Sequence, residues 1–457
     1  MRASLGEGGV WGALPHRGRS LPSARLLALA FGVAVAAAAA DAHPLHAHRA
    51  PGRARTRAAA PAGTDVAAAV PSPVVDALAS ERLTGEWLGA RSWLRERGVS
   101  IEATWVSDTS RPLRGGVRRR TAFRSLLDVN TTVDLDALLG WSGATLFADA
   151  YGIWGRNGSD DVGDFQGFSN IDADDDRVQL AELWLQQELF DGALRLKLGK
   201  FDANSEFAFV DAAGDFLNSS AGFSPTIFPM VTYPDPATGV LVAVDPSGPL
   251  YAVAGVFDGA GAAGVPTGVR GPRTFFRDDV SDDWFAIGEL GLAWDDGARF
   301  GPGRVAVGPW HHTARFDRFD GGTTSGATGF FALLEQRVVS LAAEGEDAAR
   351  DVRVFGQYGW ADEDVSEAHH HASAGLLVTG PCAERADDSA GVLLTWVDLS
   401  DRAGAGFPRD EATVELFYRA ALTPAISLKP DLQVVESPSG GRTHTAIVGT
   451  LRIEVGL

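Results

Sequence analysis

From residue 413 to the carboxyl terminus, apolar and polar side chains alternate with a period of two. Val414, Leu416, Tyr418 and Ala420 share one face of an extended segment, and Thr413, Glu415, Phe417 and Arg419 share the other. Ile426, Leu428, Leu432 and Val434 then oppose Ser427, Lys429, Asp431 and Gln433. In the closing segment Ile447, Leu451, Ile453, Val455 and Leu457 oppose Arg452 and Glu454. Period two places successive side chains on opposite faces of a strand. An apolar face opposite a charged one, repeated strand after strand, suits a transmembrane barrel around a wet lumen. It also suits a soluble sheet with one solvated face.

The same alternation recurs upstream. In 126–136, Leu127, Val129, Val133 and Leu135 oppose Asp128, Asn130, Asp134 and Asp136. The sharpest local prediction is a hairpin over 180–201, turned by Asp191-Gly192 in a type I′ geometry. That register puts Leu189 opposite Leu194 and Leu185 opposite Leu198 on one face. On the other it puts Glu188 opposite Arg195 and Gln186 opposite Lys197, so both faces are complementary. Further strands are predicted around 99–107, 143–154, 250–257, 284–294, 303–313, 327–338, 351–360, 373–379 and 389–398. The stretches 157–177, 202–248, 258–283 and 361–371 read as loops, and the mixture of long and tight connections is a barrel habit. One short helix is predicted at 86–97, with Trp87, Ala90, Arg91 and Leu94 on one face, Thr84 as N-cap and Gly98 as terminator.

Composition narrows the class. No segment after the amino-terminal region approaches 18 consecutive apolar residues, so spanning helices are excluded there. The first 80 residues hold 8 Arg, no Lys and 4 acids, a net of +4; the remainder carries 40 − 8 = 32 basic and 59 − 4 = 55 acidic groups, a net of −23. Such a surplus argues against nucleic acid as a partner. Cys382 is the single cysteine, which excludes an intramolecular disulfide and a multi-thiolate metal site. Arg17, Arg19 and Arg25 precede an apolar run from Leu26 to Ala40 that ends in small residues, the pattern of an export signal over 1–42. Residues 43–80, rich in Ala, Pro, His and Arg, read as a flexible linker before a barrel over 81–457.

Several segments carry a more specific likeness. LTGEWLGARSWLRERG at 83–98, GVRRRTAFRSLLDVNTTVDLDALLGWSGATLF at 116–147 and VGDFQGFSNIDA at 162–173 occur in order. They are followed by LAELWLQQELFDGALRLKLGKFDANSEFAF at 180–209 and by TVELFYRAALTPAISLKPDLQVVESPSG with IVGTLRIEV at the end. Together these resemble the carbohydrate-selective porin family, the OprB-type outer-membrane porins, over about residues 82–457. The resemblance implies an all-β fold: a 16-stranded antiparallel transmembrane barrel that passes sugars by diffusion. It places the protein in the outer membrane of a Gram-negative-type bacterium. Implied partners are mono- or oligosaccharides, outer-membrane lipid and the barrel-assembly machinery, with a homo-oligomer compatible. Two departures stand out: the family tends to end in Phe and this chain ends in Leu457, and Tyr is scarce (5, against Trp 12 and Phe 24), so aromatic girdles must lean on Trp and Phe.

The segment 182–207 concentrates the chemistry a sugar channel needs. Glu182, Trp184, Gln186 and Glu188 share the face assigned to the lumen, with Arg195 and Lys197 on the partner strand; Lys200, Asp202, Glu206 and Phe207 follow. Carboxylates, amides and guanidinium groups offer hydrogen bonds to hydroxyls, and an indole face offers a platform for a pyranose ring. The competing structural reading is a set of wall ion pairs. The inward loop of such a pore is expected within 202–248, where Asp211, Asp215 and Asn218 are available. Acidic pairs are too frequent here to indicate a glycosidase, and no phosphate loop or nucleophile elbow is present. The acids at 172 and 174–176 lack the glycine and distal Glu of a calcium loop. Adjacent histidines on extended chain point to opposite faces, which makes a shared metal site at His311 and His312 or at His369, His370 and His371 poor geometry, and the 369–371 trio is expected in or beside a loop. His43, His46 and His48 read as part of the solvated linker. No cofactor, metal or enzymatic step is called for. Alternatives are a general or cation-preferring porin and, further off, a secreted β-rich glycan-binding protein or glycosidase.

Overall fold

The computed structural model describes residues 80–172, 175–245, 248–274, 281–295, 301–342 and 350–457. The signal predicted over 1–42 and all but the last residue of the linker predicted over 43–80 lie outside them. Sixteen strands form one closed antiparallel barrel. β1 (Val99–Arg114), β2 (Ala122–Asp134), β3 (Ala144–Gly155) and β4 (Arg177–Leu189) lead into β5 (Leu194–Phe201), β6 (Ala237–Val244), β7 (Leu250–Asp258) and β8 (Trp284–Trp294). β9 (Gly303–Asp317), β10 (Thr323–Ser340), β11 (Asp351–Ala361) and β12 (Ala368–Thr379) follow, then β13 (Ser389–Leu399), β14 (Glu411–Thr423), β15 (Ile426–Glu436) and β16 (Ala446–Gly456). β16 pairs with β1, which closes the sheet and leaves no exposed edge for lipid to meet.

The predicted hairpin forms in the predicted register: Leu189 faces Leu194, Glu188 faces Arg195, Gln186 faces Lys197 and Leu185 faces Leu198. Asp191 (φ 56) and Gly192 (φ 88) both take left-handed conformations, and Ala193 N–H donates to the Phe190 carbonyl, as a type I′ turn requires. Alternation along β14 also sorts as expected. Val414, Leu416 and Tyr418 are exposed on the outside, whereas Thr413, Glu415 and Phe417 are buried on the inside. Exposed aromatics mark the two rims: Phe123, Trp154, Trp284 and Phe330 near the long connections, Trp141 and Tyr418 near the short ones. The girdles do lean on Trp and Phe.

Four expectations need correction. The alternation read over 126–136 ends at Asp134, whose carboxylate caps a short helical turn over Leu135–Leu139, so Leu135 and Asp136 are not on the strand. The region 202–248 is not all loop, because β6 occupies its end. β12 starts at Ala368 rather than 373, so the three histidines sit on a strand. The amino-terminal helix is shorter than 86–97: Ala90–Arg95 (α1) is preceded by a single 3-10 turn, and Thr84 is not its cap. Left-handed backbone at Leu88 (φ 58) and Gly89 (φ 91) interrupts the longer helix. Arg91 explains the placement of α1, since its guanidinium donates to the Gly85 carbonyl and to the backbone oxygen of Leu457. The start of the described chain is thereby tied to the end of the barrel.

Candidate functional site: the lumen and its inner loops

The inward faces of the strands are not uniformly polar. Phe257, Phe285, Trp310, Phe331, Phe355 and Phe417 point inward and are buried, and they meet Phe207, Val210, Phe216 and Ile227 of the connection 202–236. Phe216 packs edge-on against Phe417 at 4.9 Å and Phe355 at 5.5 Å. The connection after β5 is therefore an apolar-backed strap laid across the inner wall. Small wall residues make room for it. A Cβ at Gly359 would lie 2.1 Å from Ser224 Oγ, and one at Gly391 would lie 2.5 Å from the Phe216 ring.

Burying a strap strands its backbone N–H groups away from water, and each needs an acceptor. Wall glutamates supply them in sequence round the barrel. Ala208 N–H donates to Glu289 of β8 (2.9 Å), and Ala212 N–H donates to Glu335 of β10 (2.9 Å). Leu217 and Asn218 N–H both donate to Glu415 of β14 (2.6 and 3.0 Å). Gln357 of β11 donates to the carbonyls of Ser220 and Ala221, and Lys429 of β15 donates to that of Asp215. The connection after β3 is held in the same way. Phe165 and Gln166 N–H donate to Glu411, Gln433 donates to the Phe168 carbonyl, and Arg124 pairs with Asp172. Arg452 makes a two-point contact with Asp108 (2.7 and 2.9 Å) and donates to Asn170. The two straps touch: Asn170 N–H donates to the Leu217 carbonyl and Ser219 N–H to that of Gly167.

The segment 182–207 is brought together, but largely with itself. Arg195 grips Glu206 at two points (3.0 and 2.8 Å), and Lys197 pairs with the same carboxylate. Burial pushes the Glu206 carboxyl up, but Lys197 and Arg195 override it and hold it at about 2. Trp184 is 9% exposed: Phe147 stacks on it at 4.8 Å, Lys197 Nζ lies 4.0 Å from its ring centre, and its indole N–H donates to Glu182. A sugar-stacking face is not open on it in this arrangement. Lys200 donates to the carbonyls of Leu180 and Gly268, Asp202 accepts from Thr232 and from the N–H groups of Asn204 and Tyr233, and Phe207 is wholly buried. Gln186 and Glu188 retain exposure, Gln186 accepting from Arg195.

Sequence reasoning missed a band of charges on β9–β16. Asp211 of the strap, 42% exposed, pairs with Arg353 (35%), which also reaches Asp351. Arg304 bridges Glu335 (2.8 Å) and Glu289 (3.6 Å). Lys429 lies between Asp215 (3.7 Å) and Glu454 (3.2 Å), and Arg419 joins the same Glu454 (3.0 Å). Arg419 and Glu454 were legible as inward residues; their mutual contact was not. Asn218, available within the expected inward loop, is buried and donates to Gln433. Of the acids considered for calcium, Asp172 is committed to Arg124 and Asp176 accepts the Gly155 N–H, while Asp174 lies outside the described residues. His311 and His312 do divide between the faces. His312 is buried against the Gly259 carbonyl, and His311 is exposed beside Thr328.

A closed barrel with straps pinned inside it is channel architecture, and comparison with known proteins agrees. Residues 121–457 match the model of the carbohydrate-selective porin, OprB family. Porin B of Pseudomonas aeruginosa is 24% identical over 430 residues, spanning 82% of this chain and 91% of that protein. The high-pH structure of Pseudomonas putida OprB aligns with a TM-score of 0.74 at 20% identity, covering 83% of this chain and 99% of that one. The low-pH structure of the same protein aligns at 0.54 and 18% identity, over 83% and 99%. The chain belongs to the carbohydrate-selective porin, OprB family, the sugar-passing barrels of the Gram-negative outer membrane.

Proposed function

We propose that small neutral sugars cross this barrel by passive diffusion along the partly exposed ion pairs of β9–β16 and past Gln186 and Glu188 of β4, with no chemical step. One observation carries the reading. From β8 round to β16 most lumen acids are either paired with Arg or Lys, as in Asp211–Arg353, Glu335–Arg304 and Glu454–Arg419, or spent on strap N–H groups, as in Glu415; Asp431, buried on β15, instead accepts from the Gln433 side chain. Paired charges present alternating donors and acceptors to hydroxyl groups while offering an ion little net potential. Gln186, Glu188, Asp211 and Asp215 are the groups on which a sugar exchanges part of its hydration. Binding at several weak sites lets the solute leave again.

A cation-preferring pore is the second reading, favoured by the surplus of 23 negative charges after residue 80. That surplus includes many acids in turns and connections, among them Asp136, Asp160, Asp245 and Asp320. Reversal potentials of single channels under a salt gradient discriminate. We expect a weak cation preference, and glucose or maltose added to one side should lower the ionic current by occupying the same path. A strongly cation-selective channel indifferent to sugar would overturn the proposal.

A further inference from the structure

We propose that His369, His370 and Asp398 form a binding site for a divalent transition-metal ion on the outer wall of the barrel, at its long-loop rim. Adjacent residues of a regular strand face opposite ways, so two neighbouring histidines would ordinarily not share an ion. Here the β12–β13 register slips between Ala368 and His370. This bulge inserts His369 as an extra residue and turns it to the side of His370. The two rings lie 4.0 Å apart, whereas His371 resumes the alternation and is buried inward against Thr395. Asp398 is the cross-strand partner of His370. One ligand atom from each of the three lies within 4.8 Å of the other two, and all three side chains are half-buried.

The surroundings prepare both imidazoles. His369 Nδ1 is 2.8 Å from the Ala361 carbonyl, which can only accept, so Nδ1 carries the proton and Nε2 keeps its lone pair. His370 Nδ1 is 2.7 Å from Tyr358 Oη, which orients that ring; a metal at Nε2 requires Nδ1–H to donate to the phenol oxygen. Trp360 packs edge-on to His369, so the cluster sits in the aromatic rim, where water reaches and a charge costs less than at mid-membrane. Two imidazoles and a carboxylate suit zinc, cobalt or nickel, with the remaining position open to water. Metal–ligand bonds of ~2.0–2.1 Å put tetrahedral ligands roughly 3.4 Å apart. Closure therefore requires side-chain rotations of about an ångström.

The test is calorimetric titration of Zn²⁺ into the detergent-purified full chain, made without an oligohistidine tag. One saturable site is expected, with Co²⁺ giving a visible absorption band at the same stoichiometry. His370→Ala and Asp398→Asn should each weaken binding more than tenfold, and Tyr358→Phe roughly 10–100-fold as a positioning residue. His311→Ala should leave it unchanged, as should replacing His43, His46 and His48 together. Heat-modifiable migration establishes that each variant is a folded barrel. The proposal is overturned if the wild-type chain takes up no more Zn²⁺ than His369→Ala/His370→Ala, or if binding follows the triple substitution.

Discussion

Replacing Glu415 by Ala is expected to free the centre of the strap and abolish discrimination among sugars by size. The Glu415 side chain is inaccessible to solvent and accepts two backbone N–H groups, from Leu217 and Asn218. Alanine leaves both donors buried without a partner, at about 1–3 kcal/mol each. What remains locally is the edge packing of Phe216, the Asn218–Gln433 hydrogen bond, and backbone contacts of Asp215 with Lys429, Leu217 with Asn170, Ser219 with Gly167, and Ser220 and Ala221 with Gln357; none of them supplies an acceptor to the two freed N–H groups. Glu415→Gln retains a single acceptor oxygen, so it can hold only one of the two donors and should fall between wild type and alanine. Liposome swelling with sugars of increasing size reads the effect: the larger sugars should enter faster in the order alanine, glutamine, wild type. An unchanged size series in Glu415→Ala would show that this anchor does not set the constriction.

The predictability of these features follows the locality of their causes. The 180–201 hairpin was legible to individual residue pairs because turn chemistry, apolar pairing and charge pairing all act within a few residues of Asp191. β6 was not legible. Its inward residues Ala237, Gly239, Leu241 and Ala243 are small or apolar because they back the aromatic core of the strap, so period-two contrast disappears where the lumen is dry. The start of β12 was hidden by three identical side chains and a bulge, neither of which alternates. The site was half legible for a related reason. The sequence marks Glu415 as an inward acid, but its partners, like those of Glu289 and Glu335, are backbone N–H groups with no side-chain signature. The available signal was Phe417, an aromatic ring on an otherwise polar face, two residues from Glu415 and packed on the same piece of strap. Acidic content by itself is equally compatible with a cation channel; the pairing of most of those acids is what supports the sugar reading.

Glu206→Ala is expected to give the largest loss of stability. Its carboxylate is the shared partner of Arg195 and Lys197, both nearly inaccessible to solvent, where the strap leaves β5. Removing it strips the shared carboxylate from Arg195 and from Lys197, which lies over the Trp184 and Phe201 rings, and breaking a buried pair typically costs ~3–5 kcal/mol. Glu206→Gln fills the same volume but supplies no charge, so it should recover packing and little else. The pH dependence has a definite sign. The folded carboxyl is held at about 2, below the ordinary 4.5, so the folded state favours its ionised form. Its contribution is complete above pH 4.5 and disappears as pH falls from there through 2. Heat-modifiable migration measured against temperature should therefore place the unfolding midpoint of Glu206→Ala well below that of wild type at pH 7. The two midpoints should converge on acidification below pH 4. A gap that persists unchanged at pH 2 would mean the ion pairs are not what the substitution removed.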